Sequence, residues 1–213
     1  MERFRNCNAG IIYVGNKMTF EEVNEKLSPG GDIISIMSND ERKYIWDLVI
    51  RVKEKFGVPP RVIEIGSSHG GTTILMQKAG AIVYSVDNWE CGQREVFKAN
   101  TAKMDSDKGI IEFEGDSRDL HTKFDNSFFD LVLIDGGHFD PIPYLDLVNY
   151  APKVKQGGYL LIDDISNSHP DGTIGLIKWF SDKWGARFII DKYFPFEEAS
   201  YKFIKLLGMR RIT

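Results

Sequence analysis

The sequence predicts an α/β domain: a doubly wound, mostly parallel seven-stranded sheet with an antiparallel strand pair near its C-terminal end. Three observations predict it. From residue 61 onward, short β-branched runs alternate with stretches of helical periodicity, the pattern of strand–helix–strand units with right-handed crossovers. The run at 129–134 is almost continuously apolar, as in a strand covered on both faces. The runs at 187–190 and 201–206 are joined only by a loop, too short a link for a parallel crossover.

Each element follows in order. Phe20 to Leu27 reads as a helix opened by Thr19 with Glu22 three residues on, a capping-box pattern. A second capping box, Ser38 with Glu41, opens a helix whose apolar residues Tyr44, Ile45, Leu48, Val49, Val52 and Phe56 recur at helical spacing. Gly57 and Pro59-Pro60 stop it. Strands are then expected at Arg61–Ile65, Ala81–Val86, Ile110–Phe113 and Phe129–Ile134, with helices over 71–79, 93–104 and around 143–150. A turn at Gly157-Gly158 is expected to precede a strand at Tyr159–Ile162, and Ile174, Ile177, Trp179, Phe180 and Trp184 mark an amphipathic helix over 173–184.

The length of 213 residues suits one domain with small additions. Residues 1–57 are expected to form an irregular, partly helical cap and lid, and 58–213 the domain that carries the chemistry. The 27 basic against 31 acidic residues give a net charge of −4, the wrong balance for a protein held by nucleic-acid phosphates. Cys7 and Cys91 are the only cysteines, which excludes a disulfide framework and a four-cysteine zinc site. No apolar run approaches the ~20 residues of a membrane helix, and no apolar segment follows Met1–Arg5 to make a signal peptide. A cytoplasmic enzyme with no membrane or nucleic-acid partner is the expectation, and a homodimer is a reasonable prior.

In such a sheet, ligands bind beyond the carboxyl ends of the strands, where strand order reverses. Acidic residues stand at those ends: Glu64 before Gly66, then Asp87, Asp116, Asp135 and Asp163-Asp164. The first strand runs into Gly66-Ser67-Ser68-His69-Gly70-Gly71-Thr72. Gly66 permits a tight turn and close approach of a ligand, and Gly70 and Gly71 let the helix start against the sheet. The Gly-x-x-x-Gly spacing differs from the Gly-x-Gly-x-x-Gly of pyrophosphate-binding folds. Asp87 is placed to take both hydroxyls of a ribose, or else caps a helix. Trp89 is able to cover a ribose or adenine, or to fill the core. Asp116 and Ser117 offer an acceptor and a donor to a base edge.

These motifs resemble the class I S-adenosylmethionine-dependent methyltransferases, whose fold is Rossmann-like. Glu64-x-Gly66-x-x-x-Gly70, Val86-Asp87 and Gly115-Asp116-Ser117 match that family's first three motifs in order and spacing, within a likeness spanning about residues 60 to 206. The resemblance implies that Gly66 and its neighbours meet the methionine part of the cofactor, Asp87 the ribose, and Asp116 with Ser117 the adenine. Glu64, Ser67, Ser68, Gly70, Thr72, Asn88, Trp89 and Asp135 complete the implied cofactor-binding set. A cofactor with a sulfonium cation and no phosphates suits an acidic cleft.

Asp135 ends one strand and Asp163-Asp164 the next. Adjacent parallel strands lie ~4.8 Å apart, so these carboxylates can converge. They repel one another unless something positive sits among them, and magnesium suits such oxygen ligands. Helix capping, or pairing with distant basic residues, is the alternative. The Asp135-x-x-His138 pattern and the acidic pair resemble the metal-dependent O-methyltransferases, including those acting on sugars of natural products. That resemblance implies Asp135, Asp163 and Asp164 as magnesium ligands, with His138 as the base beside Asp135 in the catalytic set. The acceptor is then a hydroxyl on a small molecule such as a sugar or phenol. Alternatives are a metal-independent methyltransferase acting on nitrogen or on a macromolecule, and a cofactor-binding protein without turnover. The segments before residue 37 and at 165–172 are expected to form a lid. Residues 192–200 read as an aromatic loop that covers the sheet or makes a dimer contact.

Overall fold

The structure is a computed structural model that describes residues 18–27, 31–138, 141–165, 187–195 and 204–213. The expected helix over 173–184, most of the loop at 165–172 and the segment before Met18 lie outside the described residues.

The chain runs α1 (Phe20–Leu27), α2 (Asn39–Phe56), β1 (Arg61–Ile65), α3 (Gly71–Lys78), β2 (Ile82–Asp87), α4 (Gln93–Lys103), β3 (Ile110–Glu114), α5 (Ser117–Leu120), β4 (Phe129–Ile134), α6 (Ile142–Tyr150), β5 (Val154–Ile165), β6 (Phe188–Pro195) and β7 (Ile204–Arg211). Both capping boxes form. Thr19 N–H donates to Glu22 Oε2 at 2.8 Å and Glu22 N–H to Thr19 Oγ1 at 3.3 Å; Ser38 and Glu41 make the same reciprocal pair at 2.6 and 3.3 Å. Each satisfies donors that the first helical turn leaves unpaired.

The seven strands lie in the order β3-β2-β1-β4-β5-β7-β6. β1 pairs in parallel with β2 on one side and β4 on the other, with Ile65 opposite both Val86 and Ile134. Strand order therefore reverses at β1, and the carboxyl ends of β1, β2 and β4 meet there. β7 runs antiparallel to both β5 and β6, the expected pair at the end of the sheet.

Alternation along the strands sends residues to two cores. Val62, Leu131, Leu133 and Leu161 pack under α1, α2 and α3. Ile63, Val132, Ile134 and Leu160 pack on the opposite face with Leu147 and Tyr150 of α6. β4 is buried at all six positions, which explains its unbroken apolar run.

Three expectations need correction. Gly157-Gly158 is not a turn before the fifth strand but a bulge inside it: β5 already starts at Val154, and its pairing with β4 shifts between Phe129 and Leu131. Gly157 takes φ 76° there, a conformation that suits glycine. The polar residues Asp191 and Lys192 belong to β6, whose strand reaches Pro195. As an edge strand it tolerates charge and a terminal proline. The last strand, expected over 201–206, is β7 and reaches Arg211 rather than ending at Leu206.

Candidate active site

At the reversal point the β1 loop approaches the end of β4 closely. Gly66 N–H donates to Val86 O at 2.9 Å and Asp135 N–H to Ile65 O at 2.8 Å. A Cβ on Gly66 would stand 2.0 Å from Asp135 O, and its φ is +89°, so only glycine fits. The next turn is tied to β2: Ser68 N–H donates to Asp87 Oδ2 and Trp89 N–H to Asp87 Oδ1, both at 2.7 Å. Asp87 thus holds two loops in place with one carboxylate.

A cavity of about 500 Å³ opens beyond these strand ends. Among the residues singled out from the sequence, Gly66, Ser68, Asp87, Asn88, Asp116, Ser117 and Asp135 line it. Glu64, Ser67, Gly70, Thr72 and Trp89 do not. Glu64 is buried and accepts a hydrogen bond from Thr73 Oγ1; burial pushes its carboxyl up to about 7 against the hydrogen bonds from Thr73 and Ser67. Ser67 is buried and accepts from Ser85 Oγ at 2.5 Å. Gly70 lies against the Phe97 ring, and Thr72 donates to Met37 Sδ at 3.7 Å. Trp89 is buried against Phe97, centroids 5.1 Å apart, and donates from Nε1 to Ser68 O at 3.1 Å. These five shape the wall from behind. Asp116 faces the cavity with its carboxylate held by Arg118 and also caps α5.

A second, smaller notch of about 10 Å³, room for one water-sized body, adjoins the first. Asp135, His138, Asp163 and Asp164 line it, and it shares Asp135, Gly136 and Gly137 with the larger cavity. Asp135 is held well above the usual carboxylate range, first by burial, then by the charges of Asp163 and Glu64, a hydrogen bond with Asp163, and Asp164. His138 Nε2 stands 3.8 Å from Asp164 Oδ2. Asp164 takes φ 48°, uncommon outside glycine. Among the described residues, no three His, Cys, Asp or Glu side chains are grouped as a metal site would require.

Sequence reasoning missed Asp146. This α6 residue has no exposed surface and lines the large cavity. Its Oδ1 accepts from Ser117 Oγ at 2.6 Å. Burial pushes its carboxyl up to about 6, with the Ser117 hydrogen bond acting against it. The available signal was its spacing: Ile142, Asp146 and Tyr150 fall four apart, on one helix face, so the acid sits in line with two apolar residues.

The fold is that of the class I S-adenosylmethionine-dependent methyltransferases, and a methyltransferase family model matches within it. Residues 63–165 match the model of a family described as a methyltransferase domain. The O-methyltransferase TomG from Streptomyces achromogenes, involved in tomaymycin synthesis and solved with SAM, shares 16% identity over 83% of this chain and 81% of its own, TM-score 0.65. An O-methyltransferase from Bacillus cereus solved with SAH shares 14% over 94% of each chain, TM-score 0.66. The 1,6-didemethyltoxoflavin-N1-methyltransferase of Burkholderia thailandensis shares 15% over 81% of this chain and 78% of its own, TM-score 0.56. At such identities the likeness is one of fold. No curated protein matches the chain in sequence. No described helix is long and apolar enough to cross a membrane.

Proposed function

We propose that the chain transfers the methyl group of S-adenosylmethionine to a hydroxyl of a small molecule such as a sugar or phenol, with magnesium assisting. One observation carries this reading: the large cavity and the acidic notch meet at Asp135–Gly137, so a methyl donor in one faces an acceptor at the other. Asp87 takes the ribose hydroxyls, the Gly66–Ser68 turn the methionine part, and Asp116 with Ser117 the base. Asp135, Asp163 and Asp164 are the carboxylates that would hold magnesium: their all-oxygen chemistry suits a hard divalent cation, although they would first have to draw together, since they are not grouped as a metal site in this structure. When bound, the ion lowers the pKa of a coordinated hydroxyl.

The remaining roles fall to the chain itself. His138 accepts the acceptor's proton, imidazole being the side chain that ordinarily exchanges one near neutral pH. Asp164 Oδ2 stands 3.8 Å from its Nε2. The acceptor oxygen forms a bond to the methyl carbon as the carbon–sulfur bond breaks; sulfur keeps that electron pair and leaves as the thioether. Holding the two reactants in line is the main contribution of such a site.

Calorimetric titration with S-adenosylhomocysteine, repeated with magnesium and with chelator, tests the reading alongside a turnover screen of hydroxylated acceptors. Saturable binding in both conditions, with turnover that chelator stops, is expected. Absence of binding would overturn the cofactor assignment. Turnover indifferent to chelator would leave the methyltransferase and remove the metal.

A further inference from the structure

We infer that Ser85 is a positioning residue: its buried hydroxyl, acting through Ser67, locks the Gly66–Ser68 turn in its cofactor-binding shape. The inference rests on assigning the large cavity to S-adenosylmethionine. Ser85 lies on β2 directly across from Glu64 of β1. Val83, two residues earlier on the same face, is apolar core. Ser85 Oγ donates to Ser67 Oγ at 2.5 Å. Ser67 in turn donates to Glu64, which also accepts from Thr73 Oγ1, and Thr73 Oγ1 lies 3.5 Å from Ser85 Oγ. Side chains from β1, the loop, β2 and α3 thus close a ring of four, all of them buried. Apolar side chains would fill this space at lower cost, because each buried polar atom must find its partner.

The turn above the ring explains that cost. Ser68, on the cavity wall, takes φ 45° between Gly66 at 89° and Gly70 at 87°. A side chain in this left-handed region is strained and stays there only where its surroundings fix it. Main-chain bonds do part of this, with Gly66 N–H on Val86 O at 2.9 Å and Gly70 N–H on Ser67 O at 2.8 Å. Asn100 Nδ2 holds His69 O at 2.8 Å. Asp87 holds Ser68 N–H, but Asp87 faces the cavity and in the proposed reading is shared with the ribose. Ser67 Oγ instead ties the turn to the interior, where no ligand competes for the bond. Ser85, which does not line the cavity, therefore acts from behind the wall. A loop already held in its bound form gives up less freedom when the cofactor arrives.

The test is calorimetric titration of S-adenosylhomocysteine into the parent chain, Ser85→Ala, Ser67→Ala, the double variant and Ser106→Ala, well below their melting temperatures. Ser106 is as fully buried as Ser85 but precedes β3, where its Oγ donates to Met104 O at 3.4 Å, so its variant reports lost stability alone. Removing one neutral hydrogen bond at Ser85 should weaken binding about three- to tenfold. Ser106→Ala should leave affinity at the parent value. The double variant should bind as Ser67→Ala does, because both substitutions break the same link. Hydrogen exchange gives a readout without ligand: the Ser68 amide should exchange faster in Ser85→Ala while the β1 and β2 amides keep their protection. The proposal is overturned if Ser85→Ala binds as the parent does, if Ser106→Ala loses as much affinity, if the two single losses add in the double variant, or if Ser68 keeps its protection. Any of these leaves the cofactor assignment standing. A parent that binds no S-adenosylhomocysteine would overturn that assignment, and this proposal with it.

Discussion

Replacing Glu64 with glutamine should stabilise the protein, and only at higher pH. Glu64 is 1% exposed on the central strand β1, and burial raises its carboxyl from an ordinary 4.5 to about 7 in the fold. That gap corresponds to about 3 kcal/mol at roughly 1.4 kcal/mol per pH unit. The sign follows from proton counting. Between 4.5 and 7 the native state holds a proton that the unfolded chain has lost, so stability falls as pH rises and the full penalty stands above about 7. Below 4.5 both states are protonated and nothing is lost. Glutamine carries no such term, and its carbonyl can still accept from Thr73 Oγ1. Its amide N–H groups need partners, which offsets part of the gain. Urea unfolding of both proteins should therefore show little difference at pH 4.5 and an advantage of about 1–3 kcal/mol for Glu64→Gln at pH 8. In melting temperature this is about 2–4 °C per kcal/mol for a chain of this size. Asp146 titrates with the same sign but is common to both proteins and cancels. An equal difference at the two pH values would refute the reasoning, as would a larger one at pH 4.5.

Asp87→Ala should weaken S-adenosylhomocysteine about tenfold or more, because it removes a charged hydrogen-bonding partner and frees the Ser68 and Trp89 turns; unchanged affinity in calorimetry would remove the ribose assignment. His138→Ala should lower turnover by about 10²–10⁴-fold with cofactor affinity nearly intact, and turnover at the parent rate would mean His138 is not the base. Asp135→Asn should weaken magnesium binding more than cofactor binding; equal magnesium affinity in variant and parent would sink the metal assignment.

How far the sequence could be read depended on whether a signal was local. The capping boxes at Thr19 and Ser38 involve residues three apart, and both form with the partners their spacing names. β1 and β4 begin and end where their apolar runs do. Asp135, which follows β4, was legible as a cavity residue for the same reason, since a strand must deliver its end to the switch point. What depends on a partner across the fold was not legible. Gly157-Gly158 makes a turn or a bulge according to what β4 does beside it. Asp191 and Lys192 are loop-like in composition yet pair in an edge strand, because one side of that strand need not be apolar. Glu64 stands two residues before the glycine and reads as a ligand contact, but the side to which a strand residue points is set by the pleat, and the pleat turns it towards Thr73.

The treatment of carboxylates separates the site from the scaffold. Away from the cavity, the buried Asp130 is neutralised: it takes Lys155 Nζ at 2.7 Å and Arg61 N–H at 2.9 Å. Around the cavity, Glu64, Asp135 and Asp146 are all held above their ordinary range, and in each case burial is the largest cause. A fold selected for stability alone would pair these acids or replace them. Their placement at one end of one sheet marks where stability was given up. In the proposed reading the deficit at Asp135 has a counterpart in magnesium. In that reading, metal binding and fold stability are coupled through the same carboxylate.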